Sequence, residues 1–273
     1  MGTLYLVSTP IGNLGDIFSR ALQTLRDVTL IAAEDTRHTK KLLSHFDIHT
    51  RLTSYFEHNK LIKLDTILAA LAQGDVALVS DAGTPSINDP GFELVRAALT
   101  AGYDVSPVPG PSALIAGLSA SGLPTDSFLY LGYLPRRSSE RKARLTAIAG
   151  LPFTLIFLEA PHRLLDSLAD MESVLANRPV AVARELTKLH EEIWRGTLEG
   201  ARSYFKKPRG EFVLIVDGQS VKATQPQWSE KELLAEIHKR TKQGELTKDI
   251  SAALAEVSGW KKRDIYRLVA KLN

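Results

Sequence analysis

Cysteine is absent from the chain's 273 residues. That removes disulfides, thiolate catalysis and cysteine-based zinc sites together. No run of eighteen apolar residues occurs, so no membrane-spanning helix is expected. The chain passes directly into the strand-like run Leu4-Tyr5-Leu6-Val7, so no signal peptide is expected. The 7 histidines and many carboxylates lack His-Glu-x-x-His or comparable spacing, so no metal site is expected. A Walker A sequence is missing, and Gly12 and Gly15 give only Gly-x-x-Gly, short of the dinucleotide fingerprint. There is no Gly-x-Ser-x-Gly elbow, and no single serine stands out for a Ser-His-Asp arrangement. With ordinary apolar content, 44%, these absences fit a cytoplasmic globular protein.

Net charge is also small, +3, but unevenly placed. Residues 222–273 hold 11 Lys/Arg against 7 Asp/Glu, whereas 1–221 hold 23 against 24. A second basic cluster is Arg136, Arg137, Arg141, Lys142 and Arg144, with Glu140 the one acid among them. Two basic patches on a near-neutral body point to a polyanionic partner.

The organising stretch is 79–91, Val-Ser-Asp-Ala-Gly-Thr-Pro-Ser-Ile-Asn-Asp-Pro-Gly. It follows the apolar run Val76-Ala77-Leu78-Val79 and precedes a helical pattern at Phe92, Val95, Ala98 and Leu99. It is therefore a long loop at the carboxyl end of a buried strand, where open α/β sheets bind ligands. Asp81 and Asp89 place carboxylates at its two ends. Strands are expected over 4–7, 28–33, 51–56, 76–79 and 105–108, alternating with helices, which predicts βαβ units and a mainly parallel sheet. Beyond a small-residue helix at 114–121, strands over 128–134, 153–158, 180–183, 191–196 and 212–216 predict a mixed or antiparallel sheet. Residues 218–228 read as a linker. Helical patterns then repeat at Leu233 and Ile237, at Ile250 and Leu254 with Thr247 as N-cap, and at Ile265 and Val269. Ser258-Gly259-Trp260 turns the chain between the last two, a helix-turn-helix pattern with Lys261, Lys262 and Arg263 at the start of its second helix. The expected class is α/β: an N-terminal α/β domain over 1–112 with a parallel sheet, a second α/β domain over 113–220 with a mixed sheet, and a helical tail over 221–273.

Six polar clusters each follow an expected strand: 9–16, 34–37, 81–85, 109–113, 159–163 and 185–188. Six loops converging on the carboxyl edges of two sheets describe a ligand cleft between two domains. The residues alone do not name its reaction.

Several of these segments resemble a known set. They are Leu6-Val7-Ser8-Thr9-Pro10-Ile11-Gly12-Asn13-Leu14-Gly15-Asp16, Ala33-Glu34-Asp35-Thr36-Arg37, Val79-Ser80-Asp81-Ala82-Gly83-Thr84-Pro85 and Pro109-Gly110-Pro111-Ser112-Ala113. Phe157-Leu158-Glu159-Ala160-Pro161-His162-Arg163, Ala183-Arg184-Glu185-Leu186-Thr187-Lys188 and Pro208-Arg209-Gly210-Glu211-Phe212 complete it. Together, in order over about 2–217, they resemble the small-subunit rRNA methyltransferase I branch of the tetrapyrrole-methylase superfamily. The tail resembles that branch's C-terminal helix-turn-helix extension. The resemblance implies S-adenosylmethionine as cofactor in the interdomain cleft, methyl transfer to a cytidine ribose 2′-oxygen in the decoding region of 16S rRNA, and a homodimer. The substrate is then the small-subunit rRNA or the assembled subunit, with no membrane involved. The first loop lacks the glycine-rich form of the porphyrinoid enzymes, which argues against a porphyrinoid substrate.

Carried over residue by residue, the resemblance implies cofactor contacts at Pro10, Asp81, Gly83, Thr84, Ser112, Ala113 and Leu158, with Asp81 holding the ammonium of the methionyl part. It implies a substrate side at Glu34, Arg37, Glu159, His162, Arg163, Glu185 and Lys188. Arg37, Arg163 and Lys188 would bind phosphate or orient carboxylates. Glu185, Glu159 and His162 are the candidate proton acceptors, and Glu159 with Arg163, or Glu185 with Lys188, are equally readable as structural ion pairs. A sulfonium methyl is already electrophilic, so positioning, worth about 7–11 kcal/mol, should outweigh a general base, worth a factor of roughly 10²–10⁴. A tetrapyrrole-type small-molecule methyltransferase, a non-catalytic ribosome-maturation factor and a DNA-binding regulator are the alternatives.

Overall fold

The computed structural model describes residues 2–219 and 228–272, so most of the expected linker, 220–227, lies outside the described residues. It divides into two compact units, Met1–Gly218 and Gln219–Asn273.

The first unit holds two five-stranded sheets. In the first, β1 (Thr3–Val7), β2 (Leu30–Ala33), β3 (Leu52–Ser54), β4 (Val76–Val79) and β5 (Asp104–Val108) run in the order β3-β2-β4-β1-β5. Every pair is parallel. The fully buried runs Leu-Ile-Ala-Ala and Val-Ala-Leu-Val explain why: a strand covered on both faces needs apolar side chains at every position. Helices α1 (Ser19–Asp27) and α2 (Thr36–His45) cover one face through Ala21, Leu25 and Leu43. Helices α3 (Lys60–Leu71) and α4 (Phe92–Thr100) cover the other through Ile67, Leu71, Leu94 and Ala98. Because the strands are parallel, the loops after β1, β2, β4 and β5 all leave from one edge.

The second sheet is mixed, in the order β6-β7-β10-β8-β9. Its strands are β6 (Phe128–Tyr133), β7 (Thr154–Glu159), β8 (Pro179–Arg184), β9 (Glu192–Thr197) and β10 (Phe212–Val216). β6 and β7 are parallel; β10 runs antiparallel between β7 and β8. The start of β10 therefore lies beside the ends of β7 and β8, with Phe212 opposite both Glu159 and Arg184. One face packs on α5 (Ala113–Ser121), where a Cβ at Gly117 would stand 3.3 Å from Ile215. The other face packs on α6 (Ser138–Ile148), α7 (Leu164–Leu175) and α8 (Leu198–Tyr204).

Those three helices were not expected, since this region reads as strand-dense. The basic cluster at 136–144 is the turn into α6 and its first two turns, and much of its charge is spent internally. Arg141 is buried, its Nε donates to Asp170 at 2.7 Å, and its Nη1 donates to the carbonyls of Pro135 and Arg136. Lys142 also reaches Asp170, at 3.4 Å, and Arg137 reaches Glu140 at 3.5 Å.

The second unit is a three-helix cluster of α9 (Glu230–Lys242), α10 (Thr247–Val257) and α11 (Lys262–Leu272) around Leu233, Ile237, Ile250, Leu254, Ile265 and Val269. Ser229 and Glu232 form a capping box at its start. Thr247 is the first residue of α10 rather than its cap, which is Leu246. A short turn through Gly259 joins α10 to α11, with Trp260 donating through Nε1 to the Trp228 carbonyl at 2.7 Å.

Burial raises the Asp170 carboxyl pKa, but hydrogen bonds from Ser138 and Arg141 and the Arg141 charge outweigh this and hold it below the usual range. Asp170→Ala strands a buried guanidinium and should cost about 3–5 kcal/mol in denaturant unfolding at neutral pH. A depressed carboxyl stabilises the fold above its unfolded pKa and loses that effect as pH falls through its folded pKa, so the gap to wild type should narrow in acid.

Candidate active site

The loops after β1 and β4 are zipped together. Thr9 and Gly83 exchange backbone hydrogen bonds of 2.9 and 3.0 Å, and the Ser8 and Thr84 hydroxyls lie 3.0 Å apart. Gly83 is left-handed at φ 79°, a conformation that glycine adopts without strain. The loops after β2 and β4 are tied reciprocally: the Asp35 N–H donates to Asp81 Oδ1 at 3.1 Å, and the Asp81 N–H donates to Glu34 Oε2 at 3.4 Å.

These loops face the second sheet across a cleft of about 370 Å³. Its walls combine Glu34, Asp81, Gly83, Thr84, Asp89, Ser112 and Ala113 with Tyr130, Tyr133, Leu158, Glu211 and Val213. Four carboxylates line it, Glu34, Asp81, Asp89 and Glu211, and among the described residues no Lys or Arg does. Burial, then the neighbouring Asp89 and Asp81 charges, raises the Glu34 carboxyl. Burial likewise raises Asp89, with Asp81 adding to it and a Ser80 hydrogen bond opposing. Burial pushes the Tyr130 phenol up to about 12, and its hydroxyl accepts from Asn88 Nδ2 at 2.8 Å.

Of the expected cofactor contacts, Asp81, Gly83, Thr84, Ser112, Ala113 and Leu158 line this cleft. Pro10 does not; it lines an adjoining hollow of about 160 Å³ with Leu14, His38, Lys41 and Asp81. Of the expected substrate side, Glu34 alone lines the cleft. Arg37 is 88% exposed and turned back onto Asp35 at 2.7 Å. Glu159 has a fully enclosed side chain that accepts from Ser167 and the Ala160 N–H and meets Arg163 at 3.4 Å. Arg163 Nη2 donates to the Leu134 and Pro135 carbonyls, and His162 is exposed on a short 3₁₀ turn. The Glu159–Arg163 pair thus braces the end of β7.

Glu185 and Lys188 stand at the rim. Glu185 is left-handed at φ 49°, and its Oε1 accepts from the Glu211 N–H at 2.9 Å and from Lys188 Nζ at 3.0 Å. Lys188 Nζ also reaches Glu211 Oε2 at 2.8 Å. The Glu211 N–H, then the Lys188 ammonium, outweigh partial burial and hold the Glu185 carboxyl below its ordinary range. Gly210 permits this packing: its φ is 87°, and a Cβ there would stand 2.5 Å from Glu185 Cγ.

Asp89, Tyr130, Tyr133 and Glu211 line the cleft but were not carried into the expected site. Asp89 sits in the organising loop and Glu211 in a quoted motif, so both had a signal. The tyrosines read as ordinary strand residues.

Residues 3–201 match the tetrapyrrole (corrin/porphyrin) methylases. The chain belongs to this family. Among curated tetrapyrrole-methylase relatives, the ribosomal RNA small subunit methyltransferase I of Synechocystis sp. is 48% identical, covering 100% of this chain and 99% of its own. The protein of the same name from Escherichia coli O157:H7 is 49% identical over 97% of this chain and 94% of its own. The crystal structure of the methyltransferase CobJ superposes with a TM-score of 0.60 at 19% identity, covering 81% of this chain and 95% of that one. Uroporphyrin-III-C-methyltransferase from Thermus thermophilus gives 0.54 at 20% identity, over 79% and 94%. Those two structures establish the tetrapyrrole-methylase fold.

Two variants test the geometry. A carboxyl whose folded pKa is raised stabilises the fold below its unfolded pKa and loses that effect as pH rises through the folded one. Glu34→Gln should therefore raise the thermal midpoint of the ligand-free protein at pH 7, with the gain vanishing near pH 3. Gly210→Ala should cost on the order of 1–3 kcal/mol in unfolding, because it combines left-handed strain with a clash on Glu185.

Proposed function

We propose that this chain transfers the methyl group of S-adenosylmethionine to a cytidine ribose 2′-oxygen in the decoding region of 16S rRNA. The observation that carries this reading is near-full-length identity of about half to relatives named ribosomal RNA small subunit methyltransferase I. Uroporphyrin-III-C-methyltransferase and the methyltransferase CobJ share the fold at only 19–20% identity.

The cleft suits the cofactor. S-adenosylmethionine carries a sulfonium and an ammonium. Glu34, Asp81 and Asp89 make no ion pair among the described residues, and Glu211 is paired with Lys188, so the three unpaired carboxylates favour a cationic ligand. Asp81 would hold the ammonium, Gly83 and Thr84 would form the floor beside it, and Ser112, Ala113 and Leu158 would form the opposite wall. A cleft of about 370 Å³ lies within the range of small-molecule sites. When bound, the cofactor supplies an electrophilic methyl group, so the protein's main task is to place the ribose.

The three candidate bases are poorly situated for proton removal: Glu159 is enclosed, Glu185 is paired with Lys188, and His162 lies outside the cleft lining. We therefore assign the rate to positioning, with Glu185, Lys188 and Glu211 bracing the rim. The reading places the protein in the cytoplasm with its ribosomal substrate. It also makes the protein a homodimer, for which exposed Leu61, Ile62, Phe92 and Leu99 on α3 and α4 offer an apolar face.

Labelled S-adenosylmethionine, incubated with undermethylated small subunits, should mark one cytidine by mass spectrometry; label on a porphyrinoid and none on rRNA overturns the reading. Asp81→Ala should weaken cofactor binding in calorimetry about 10–100-fold, the loss expected for a charged hydrogen-bond partner. Unchanged affinity removes Asp81 from that role.

A further inference from the structure

The cleft is lined by carboxylates and by no Lys or Arg among the described residues, so it offers RNA phosphates no cation. Something beside it must carry the phosphates. α8 ends at Tyr204, and the chain then runs Phe205-Lys206-Lys207-Pro208-Arg209-Gly210 before Glu211 enters the cleft wall. Lys206, Lys207 and Arg209 are exposed, and none makes an ion pair among the described residues. The cluster at 136–144 is mixed instead: Arg141, Lys142 and Arg137 are paired, while Arg136 and Arg144 are exposed without an ion pair among the described residues.

A shallow depression joins this segment to the tip of the loop after β8, through Leu189, His190 and Tyr204. Leu189 is 93% exposed, an apolar side chain at the tip of a polar loop. Tyr204 remains 55% exposed while its ring stacks on Trp194 at 5.6 Å and its hydroxyl donates to Glu192. The two acids here are engaged. Glu192 meets Arg184 at 3.0 Å, and Glu191 accepts the Thr187 N–H. Free cations, a fixed aromatic face and an exposed apolar tip are the elements of a single-stranded nucleic-acid platform.

Taking the rRNA reading as its premise, we propose that Lys206, Lys207 and Arg209, with Tyr204 and Leu189, form the docking surface for the RNA strand flanking the target nucleotide. The three cations hold its phosphates, the tyrosine ring and the leucine meet a base or ribose, and the strand then reaches the cleft past Gly210 and Glu211. The surface is continuous with the cleft wall in sequence and lies at the same edge of the second sheet, the edge of the β8 end and the β10 start.

The test compares the full chain with Lys206→Glu/Lys207→Glu/Arg209→Glu, measuring small-subunit binding across salt concentrations, KM and kcat for methylation, and cofactor affinity. Three lost phosphate contacts should lower the slope of log affinity against log salt by about 2. KM for subunits should rise at least ~10-fold with cofactor affinity unchanged. The charge-keeping variant Lys206→Arg/Lys207→Arg/Arg209→Lys should restore slope and KM, and Leu189→Asp should weaken binding in the same direction. Wild-type slope and KM in the charge-reversed variant overturn the docking surface while leaving the rRNA activity intact. If the unaltered protein neither binds nor methylates small subunits, the rRNA reading fails, and the docking surface with it.

Discussion

Two backbone hydrogen bonds between Thr9 and Gly83 join loops that are far apart in sequence, and the cleft depends on that junction. Parallel strands deliver the loops after β1, β2, β4 and β5 to one edge, but a common edge does not fix loop conformation. The bridge does so for two of them. The reciprocal bonds between Glu34, Asp35 and Asp81 extend the lock to a third. Every carboxylate that the first sheet contributes to the cleft then sits on a locked loop or on the segment that follows Thr84. Gly83 is the pivot, because its left-handed backbone lets the strand-like pairing with Thr9 end in a turn.

That arrangement sets up an electrostatic opposition. The cleft gathers Glu34, Asp81 and Asp89 without an ion-pair partner among the described residues, whereas the rim beside it carries Lys188 and the exposed Lys206, Lys207 and Arg209. Lys188 belongs to neither side: it is held between Glu185 and Glu211 and works as a brace. Under the proposed function, that opposition would sort a cationic small molecule and a polyanion to neighbouring surfaces by sign of charge, before any shape complementarity acts.

The fold was legible because its signals are local. Buried runs such as Val76–Val79 announce a doubly covered strand, and the turn chemistry of 80–91 announces a loop at its end. Of the seven cofactor contacts that the ordered motifs imply, six line the cleft. Of the residues expected on the substrate side, Glu34 alone lines the cleft, for a physical reason. A charged residue beside a strand end looks the same in sequence whether it faces a cavity or a neighbour. Glu159 and Arg163 turned to each other, Arg163 also donating to the Leu134 carbonyl, and Arg37 turned to Asp35. Spacing along α6 likewise did not reveal that Asp170 of α7 takes up Arg141. Tyr130 and Tyr133 were invisible because a bulge in β6, with Gly132 left-handed at φ 61°, breaks the alternation that would have assigned their faces.

The acidic cleft also couples stability to ligand. Partly buried carboxylates that repel one another raise each other's proton affinity, and their ionised forms weigh against the folded state at neutral pH. A bound cation reverses that balance. Its binding should draw the cluster's pKa values down, releasing protons where they titrate, and it stabilises the fold by mass action, about 2.7 kcal/mol at a hundred times its Kd. The same carboxylates that make the ligand-free protein less stable thus make the loaded protein more so.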